Sequence, residues 1–236
     1  MIKNMANLMQ NLLRSASRHY DAAFFSFLFF SLSCFLASCS SDTTEYDPYH
    51  DWEERNAAWY EQIADSARTA ITSAQQTYGD AWEEHCDWRM MKSLLKSPTY
   101  DSGQFTDSIC IHIISRGTGE ITPCFTDTVR LHFRGWLMPT LKADGTTEER
   151  VFTQTYYSDF NSETAAPQTA PVSAFKDGFA TALQYMVAGD DWLVYIPQQL
   201  FYGSTVSTAV PAYSTARFRI NLVAVYPIGT KVPEWK

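Results

Sequence analysis

The chain has 236 residues, 45% of them hydrophobic and 15% aromatic, a composition that suits a globular protein with a sizeable core. Its formal net charge is -8, which argues against a nucleic-acid partner because phosphate binding needs a basic surface. Lys3, Arg14 and Arg18 lie ahead of Cys39 with only Asp21 against them, so the body that follows is more acidic still.

The first segment carries those three cations and then "AAFFSFLFFSLSCFLASC", an apolar run of signal-peptide length that ends in small residues. Its serines and its shortness set it apart from a bilayer span of roughly 20 apolar residues, and residues 1–38 read as an export signal. "LASC" (Leu36 to Cys39) resembles the bacterial lipoprotein box. That resemblance implies lipidation at Cys39, which becomes the first mature residue and anchors the chain to the membrane. Met1, Met5 and Met9 all remain open as the start.

Residues 39–50, including "SSDTTEYDPYH", are polar, acidic and broken by Pro48, and read as a tether with little to bury. From Asp51 to Pro98 a helical segment is expected. Trp52, Trp59, Ile63, Ala67 and Ala70 recur at helical spacing, Asp51 stands at the N-cap position, and "TYGD" breaks the helix. In "AWEEHCDWRMMKSLLKSP" helix and strand are hard to separate.

Residues 105–228 have the texture of a β-protein punctuated by Gly and Pro. "SICIHII" and "DTVRLHFRGWLM" alternate, "RGTGE" between them reads as a turn, and "RVFTQTYY" follows a polar loop. A long Ser/Thr/Ala/Pro loop fills about Ser158 to Pro171. In "DGFATALQYM", Phe179, Leu183 and Met186 fall at i, i+4 and i+7, the stripe of a short helix on a core. "DDWLVYIP" and "ARFRINLVAVY" complete the strands. The fold class is α+β, a curved antiparallel sheet wrapped around a short helix and preceded by an amphipathic helix, with a tail over 229–236.

Conventional chemistry finds no home. His19, His50, His85, His112 and His132 are scattered without ligand spacing, so no metal site is expected. No nucleophile elbow, phosphate loop or dinucleotide fingerprint is present. Beyond Cys39, Cys86, Cys110 and Cys124 make an odd set, compatible with a Cys110–Cys124 bridge and equally with free buried thiols.

The ordered series "VRLHFRG", "DG", "VF", "DGF", "ALQYMVAGD", "VYIP", "FYG", "VPAYST" and "FRINLVAV" resembles the FKBP-type peptidyl-prolyl cis-trans isomerases over about Ser108 to Tyr226. With the lipobox, the Trp-rich helix and the tail "GTKVPEW", the chain looks like the exported FKBP lipoproteins of Bacteroidota. The resemblance places Phe133 and Phe152 on the walls of a prolyl pocket and Phe179 at its floor, where the family usually has tryptophan. It makes Tyr202 the hydroxyl that hydrogen-bonds a substrate carbonyl, and the backbone N–H of Lys176 a second group for a substrate carbonyl. Val210 and Phe218 are lining. Thr153 stands where the family commonly has aspartate, and Phe133 where it has tyrosine, so a hydrogen bond between those two positions is absent.

The resemblance implies rotation of X-Pro bonds in exported proline-containing polypeptides, with no cofactor. The alternative is a chaperone or binding lipoprotein using the same pocket with little turnover. The implied location is the outer membrane of a Gram-negative bacterium, facing periplasm or cell surface. The N-terminal helix resembles the dimerising arms of some exported family members, which implies a homodimer; packing against its own domain fits the pattern equally.

Overall fold

The structure, a computed structural model, describes residues 46–96 and 104–235. The export signal, Cys39 and the first part of the tether lie outside these residues. Among the described residues no helix is long and apolar enough to cross a membrane.

Helix α1 runs over Trp52–Tyr78 and ends at Gly79, whose φ of 58° is the left-handed region that favours glycine. Asp51 occupies the N-cap position but does not cap. Its backbone is itself left-handed (φ 50°), its side chain makes no cap hydrogen bond, and its carboxylate instead meets His50 Nε2 at 2.9 Å. The end of the expected tether also departs from a free linker: residues 47–50 form a turn, with the His50 N–H donating to the Asp47 carbonyl at 3.2 Å. Tyr49 packs edge-on against Trp52 with ring centroids 5.0 Å apart.

The segment expected to be helical to residue 98 is helical only as far as His85. A short 3-10 turn leads into helix α2 (Trp82–His85), and then strand β1 covers Trp88–Lys92. The reason is local alternation: Trp88 and Met90 point to one side, where they meet α1, and Arg89 is buried on the other.

Strands β2 (Ser108–Ser115), β3 (Thr128–Leu137), β4 (Thr140–Leu141), β5 (Thr147–Glu148), β6 (Val151–Gln154) and β7 (Gln168–Pro171) follow, then helix α3 (Asp177–Tyr185), β8 (Asp191–Ile196) and β9 (Ala216–Tyr226). The main sheet has the order β1-β2-β8-β9-β3-β6, with β7 also pairing β3; β4 and β5 form a separate ribbon. Pairing is antiparallel throughout, and register shifts at Ile113/Ser115, Arg130/Leu131 and Gly135/Trp136 bend the sheet. β7 lies inside the stretch expected to be a loop, because its Thr and Ala residues carry no apolar alternation of their own.

The two faces of the sheet have separate covers. Ile109, Ile111, Val129, Leu131, Val194, Ile196, Ile220 and Leu222 face inward against Phe179, Ala182, Leu183 and Met186 of α3 and its C-terminal cap. On the outer side, Cys110, Trp88 and Tyr195 pack against Tyr60, Ala64 and Ala67 of α1. The buried face of α1 therefore runs through Asn56 and Tyr60, rotated from the stripe of Trp59, Ile63 and Ala70. Tyr60 donates its hydroxyl to the Ser108 carbonyl at 2.5 Å. Helix α1 thus packs on its own domain through Tyr60, Ala64 and Ala67.

The outer side of β3 and β9 is closed by cations against rings. Arg130 lies over Tyr226 and Trp235 and donates to the Pro233 carbonyl, so the 229–235 segment folds back onto the sheet. Arg134 lies 4.4 Å over Tyr156. Cys86, Cys110 and Cys124 are all free; the first two are buried and Cys124 is exposed, so no bridge joins Cys110 to Cys124.

Candidate active site

The site begins with glycine. Gly135 on β3 pairs with Phe218 on β9, and a Cβ there would lie 2.5 Å from Phe218 Cε1 and 2.9 Å from Thr153 Cγ2. Without that Cβ, the Phe218 ring can lie across the strand beside Phe152 of β6. A second close approach seats the helix, since a Cβ on Gly178 would meet Ile196 Cγ2 at 2.3 Å and the Leu200 carbonyl oxygen at 3.2 Å. The first turn of α3 therefore sits down on β8, and Phe179 reaches the base of the sheet, 3% exposed.

β8 ends at Ile196, and Pro197 leads into a 3-10 turn over Gln198–Leu200. Phe201 and Tyr202 follow, with Gly203 in the left-handed region at φ 54°. This turn brings Tyr202 back over the rings. The segment from Gly203 to Thr215 then crosses the mouth before β9 begins, with the Tyr213 N–H donating to the Gly203 carbonyl at 2.7 Å.

Together these elements enclose a cavity of about 350 Å³ lined by Phe133, Phe152, Thr153, Ala174, Phe175, Lys176, Phe179, Phe201, Tyr202, Ser207, Ala209, Val210 and Phe218. That volume falls in the range of about 300–1,000 Å³ typical of small-ligand sites. All eight pocket residues expected from the sequence (Phe133, Phe152, Thr153, Lys176, Phe179, Tyr202, Val210 and Phe218) line this one cavity. Phe175 and Phe201 were not foreseen. Each had a signal: Phe175 is four residues before Phe179, and Phe201 is the first ring of "FYG".

Phe218 is the hub. Its ring meets Phe179 edge-on at 4.8 Å, Phe152 at 5.4 Å, Phe201 at 5.9 Å and Phe133 at 6.4 Å. Phe175 stacks on Phe179 at 4.6 Å, and Phe133 meets Phe179 at 5.6 Å. Edge-to-face pairs of this kind contribute about 0.5–1.5 kcal/mol each beyond the burial of their area.

Polar groups are few and at the rim. The Tyr202 ring lies edge-on to Phe201 at 4.6 Å, and Lys176 Nζ stands 4.5 Å from its centroid. Among the described residues neither the Tyr202 hydroxyl nor the Lys176 backbone N–H has a hydrogen-bond partner, so both donors are available to a ligand. Lys176 and Tyr202 are also the sole titratable groups in the lining. Among the described residues the lining itself holds no carboxylate, histidine or thiol, and its two free donors can orient a ligand in an apolar surround. Among the described residues no group of three or more His, Cys, Asp or Glu side chains is placed to hold a metal ion.

Residues 119–223 match the family model for FKBP-type peptidyl-prolyl cis-trans isomerases. The chain is 30% identical over 165 residues to the Macrophage infectivity potentiator of Trypanosoma cruzi, covering 66% of this chain and 76% of that protein. The chain belongs to the FKBP-type peptidyl-prolyl cis-trans isomerase family. It is also 33% identical over 114 residues to the FKBP-type 22 kDa peptidyl-prolyl cis-trans isomerase of Escherichia coli (strain K12), covering 48% of each. To the Outer membrane protein MIP of Legionella longbeachae it is 35% identical over 114 residues, covering 48% of this chain and 42% of that one. It thus spans about half the length of these two relatives.

Phe179, expected at the floor of the pocket, carries the Phe175 ring stacked on it. Thr153 faces Gly135 across the β3–β6 pairing and carries no charge.

Proposed function

We propose that this FKBP-type isomerase rotates X-Pro peptide bonds of exported polypeptides in the cavity between β3, β6, β9 and α3, by binding alone and without a covalent intermediate. Rotation about a peptide bond faces a barrier of about 18–20 kcal/mol because amide resonance is lost, and an X-Pro bond flips unaided in tens to hundreds of seconds. The twisted amide carries less charge separation than the planar one. A ring-lined, water-poor cavity therefore binds the twisted form better than the ground state, and that difference is the catalysis.

The roles follow from position. Phe179 forms the floor beneath the prolyl ring, with Phe133, Phe152 and Phe218 as walls and Val210 closing one side. Tyr202 donates its hydroxyl to one substrate carbonyl and the Lys176 N–H to another, which fixes the flanking chain while the X-Pro bond turns. Thr153 contributes its methyl group to the wall. The observation that carries the reading is the convergence of six phenylalanines and a tyrosine around one open cavity whose Tyr202 hydroxyl and Lys176 N–H have no hydrogen-bond partner among the described residues.

The cellular reading rests on the N-terminus and the relatives. An apolar leader ending in "LASC" supports lipidation at Cys39, and the name Outer membrane protein MIP of one relative supports an outer-membrane address for exported proline-containing clients. Radiolabelled palmitate incorporation that disappears in Cys39→Ala would support the anchor; unchanged incorporation would exclude it. For the activity, a protease-coupled assay on a proline tetrapeptide is decisive. Turnover in the parent chain and its loss in Phe179→Ala are expected, and equal rates would refute the pocket.

A further inference from the structure

We propose that the first turn of α1, outside the matched family region, is part of the isomerase pocket: Trp52 and Asn56 are positioning residues that clamp the mouth segment 203–215 and so set the placement of Val210 and Tyr202. A second apolar cluster lies behind the pocket wall. Trp52, Leu137, Met138 and Val210 are buried together there, with Phe152, Phe201 and Tyr202 packed against them. Val210 is thus shared, lining the cavity while belonging to the Trp52 cluster.

Hydrogen bonds fix the same segment from the same helix. The Trp52 Nε1–H donates to Ser214 Oγ at 3.0 Å, and Ser214 Oγ donates to the Pro211 carbonyl at 2.7 Å. Asn56 accepts from the Thr215 N–H through Oδ1 at 2.8 Å and donates through Nδ2 to the Trp52 carbonyl at 2.7 Å. Asn56 and Ser214 are 0% exposed. A buried asparagine satisfied on both sides across a sequence separation of 159 residues is a specific joint, because removing either partner leaves an unpaired polar group in the interior. Between these bonds and the Tyr213–Gly203 bond lies Tyr213, which holds a φ of 60°, an uncommon conformation for a residue other than glycine. Such a backbone persists when its surroundings over-determine it. The main core, by contrast, contains none of these α1 residues, so the clamp can be loosened while the sheet stays folded.

The turnover part of this inference rests on the isomerase reading, and the experiment separates the two. In the full chain in detergent, Trp52→Ala is expected to give a cooperative melt, to shift the Val210 methyl and Tyr202 ring resonances while leaving those of Leu131 in place, and to lower kcat/KM on a proline peptide about 10-fold to 100-fold, the scale of a misplacement near 1 Å. Trp52→Phe, which keeps a ring, should recover most of the rate; Gln62→Ala on the exposed face of the helix should match the parent. Combined with Tyr202→Phe, Trp52→Ala should cost less than the product of the two single effects, because both act through one wall. Unmoved Val210 and Tyr202 resonances in a folded variant, or a rate loss equal to the unfolded fraction, would overturn the clamp. If Trp52→Ala does not fold, Ser214→Ala, which deletes one oxygen, decides by the same resonances. If the parent shows no turnover, the isomerase reading falls, while the resonances still decide the clamp.

Discussion

Replacing Tyr202 by phenylalanine removes one oxygen and nothing else from the pocket. The ring is half-buried against Phe201 at 4.6 Å and under Lys176 at 4.5 Å, contacts that the substitution preserves. The hydroxyl has no partner among the described residues, so its loss breaks no internal hydrogen bond. Stability should therefore stay within about 0.5 kcal/mol of the parent, the range of a change away from buried polar networks. Catalysis should not. One hydrogen bond to an uncharged carbonyl is worth about 0.5–1.5 kcal/mol, which is about 2-fold to 12-fold in kcat/KM. A protease-coupled assay beside a thermal melt measures both quantities on one preparation. An unchanged rate would refute the assignment of Tyr202 as a positioning donor, and a large drop in melting temperature would show that the hydroxyl serves the fold instead.

Three further outcomes are expected. Gly178→Ala puts a methyl group where Ile196 Cγ2 would lie 2.3 Å away, so α3 must lift from β8; a loss of about 1–3 kcal/mol is expected, with weaker turnover, and a fully stable, fully active variant would contradict the seating of the helix. His132 is 1% exposed, both its ring nitrogens lack partners among the described residues, and burial holds its pKa below the ordinary value of 6.5. The unfolded chain therefore binds a proton that the folded chain refuses, so stability is retained above about pH 6.5 and falls as pH drops below it, by at most about 1.4 kcal/mol per pH unit; urea titrations at several pH values should show this slope, and His132→Leu should reduce it. Burial pushes the Cys110 thiol up to about 11, and Cys86 is buried too, whereas Cys124 is exposed. Of these three thiols, Cys124 should react first with a thiol reagent on the native protein and the other two only on unfolding; rapid labelling of Cys110 would refute the docking of α1 over it.

The sheet and its inner helix were legible because their signals are local. β3 alternates, Phe179, Leu183 and Met186 make one stripe, and those elements place the floor and walls. The buried face of α1 was not legible, because Asn56 and Tyr60 are polar residues buried by partners far away in the chain, the Thr215 N–H and the Ser108 carbonyl. No periodicity in residues 52–78 encodes those partners. Phe201 escaped for a geometric reason. Its backbone (φ -125°, ψ -107°) belongs to no regular element, so neither the period of a strand nor that of a helix says which way the ring points. β7 and the C-terminal cover of the outer face were hidden by composition, since Thr, Ala and Pro residues join the sheet through backbone pairing with β3 and Trp235 is recruited by Arg130.

The central claim is that the ring-lined cavity itself lowers the barrier to prolyl rotation. Exchange NMR on a proline peptide with a catalytic amount of the full chain in detergent tests it most directly, reading cis-trans interconversion and the pocket resonances in one sample. The account predicts interconversion far faster than the unaided tens to hundreds of seconds, with shifts at Phe133, Phe152 and Tyr202 and a return to the unaided rate in Phe179→Ala. Interconversion at the unaided rate while the peptide demonstrably occupies the cavity would contradict it.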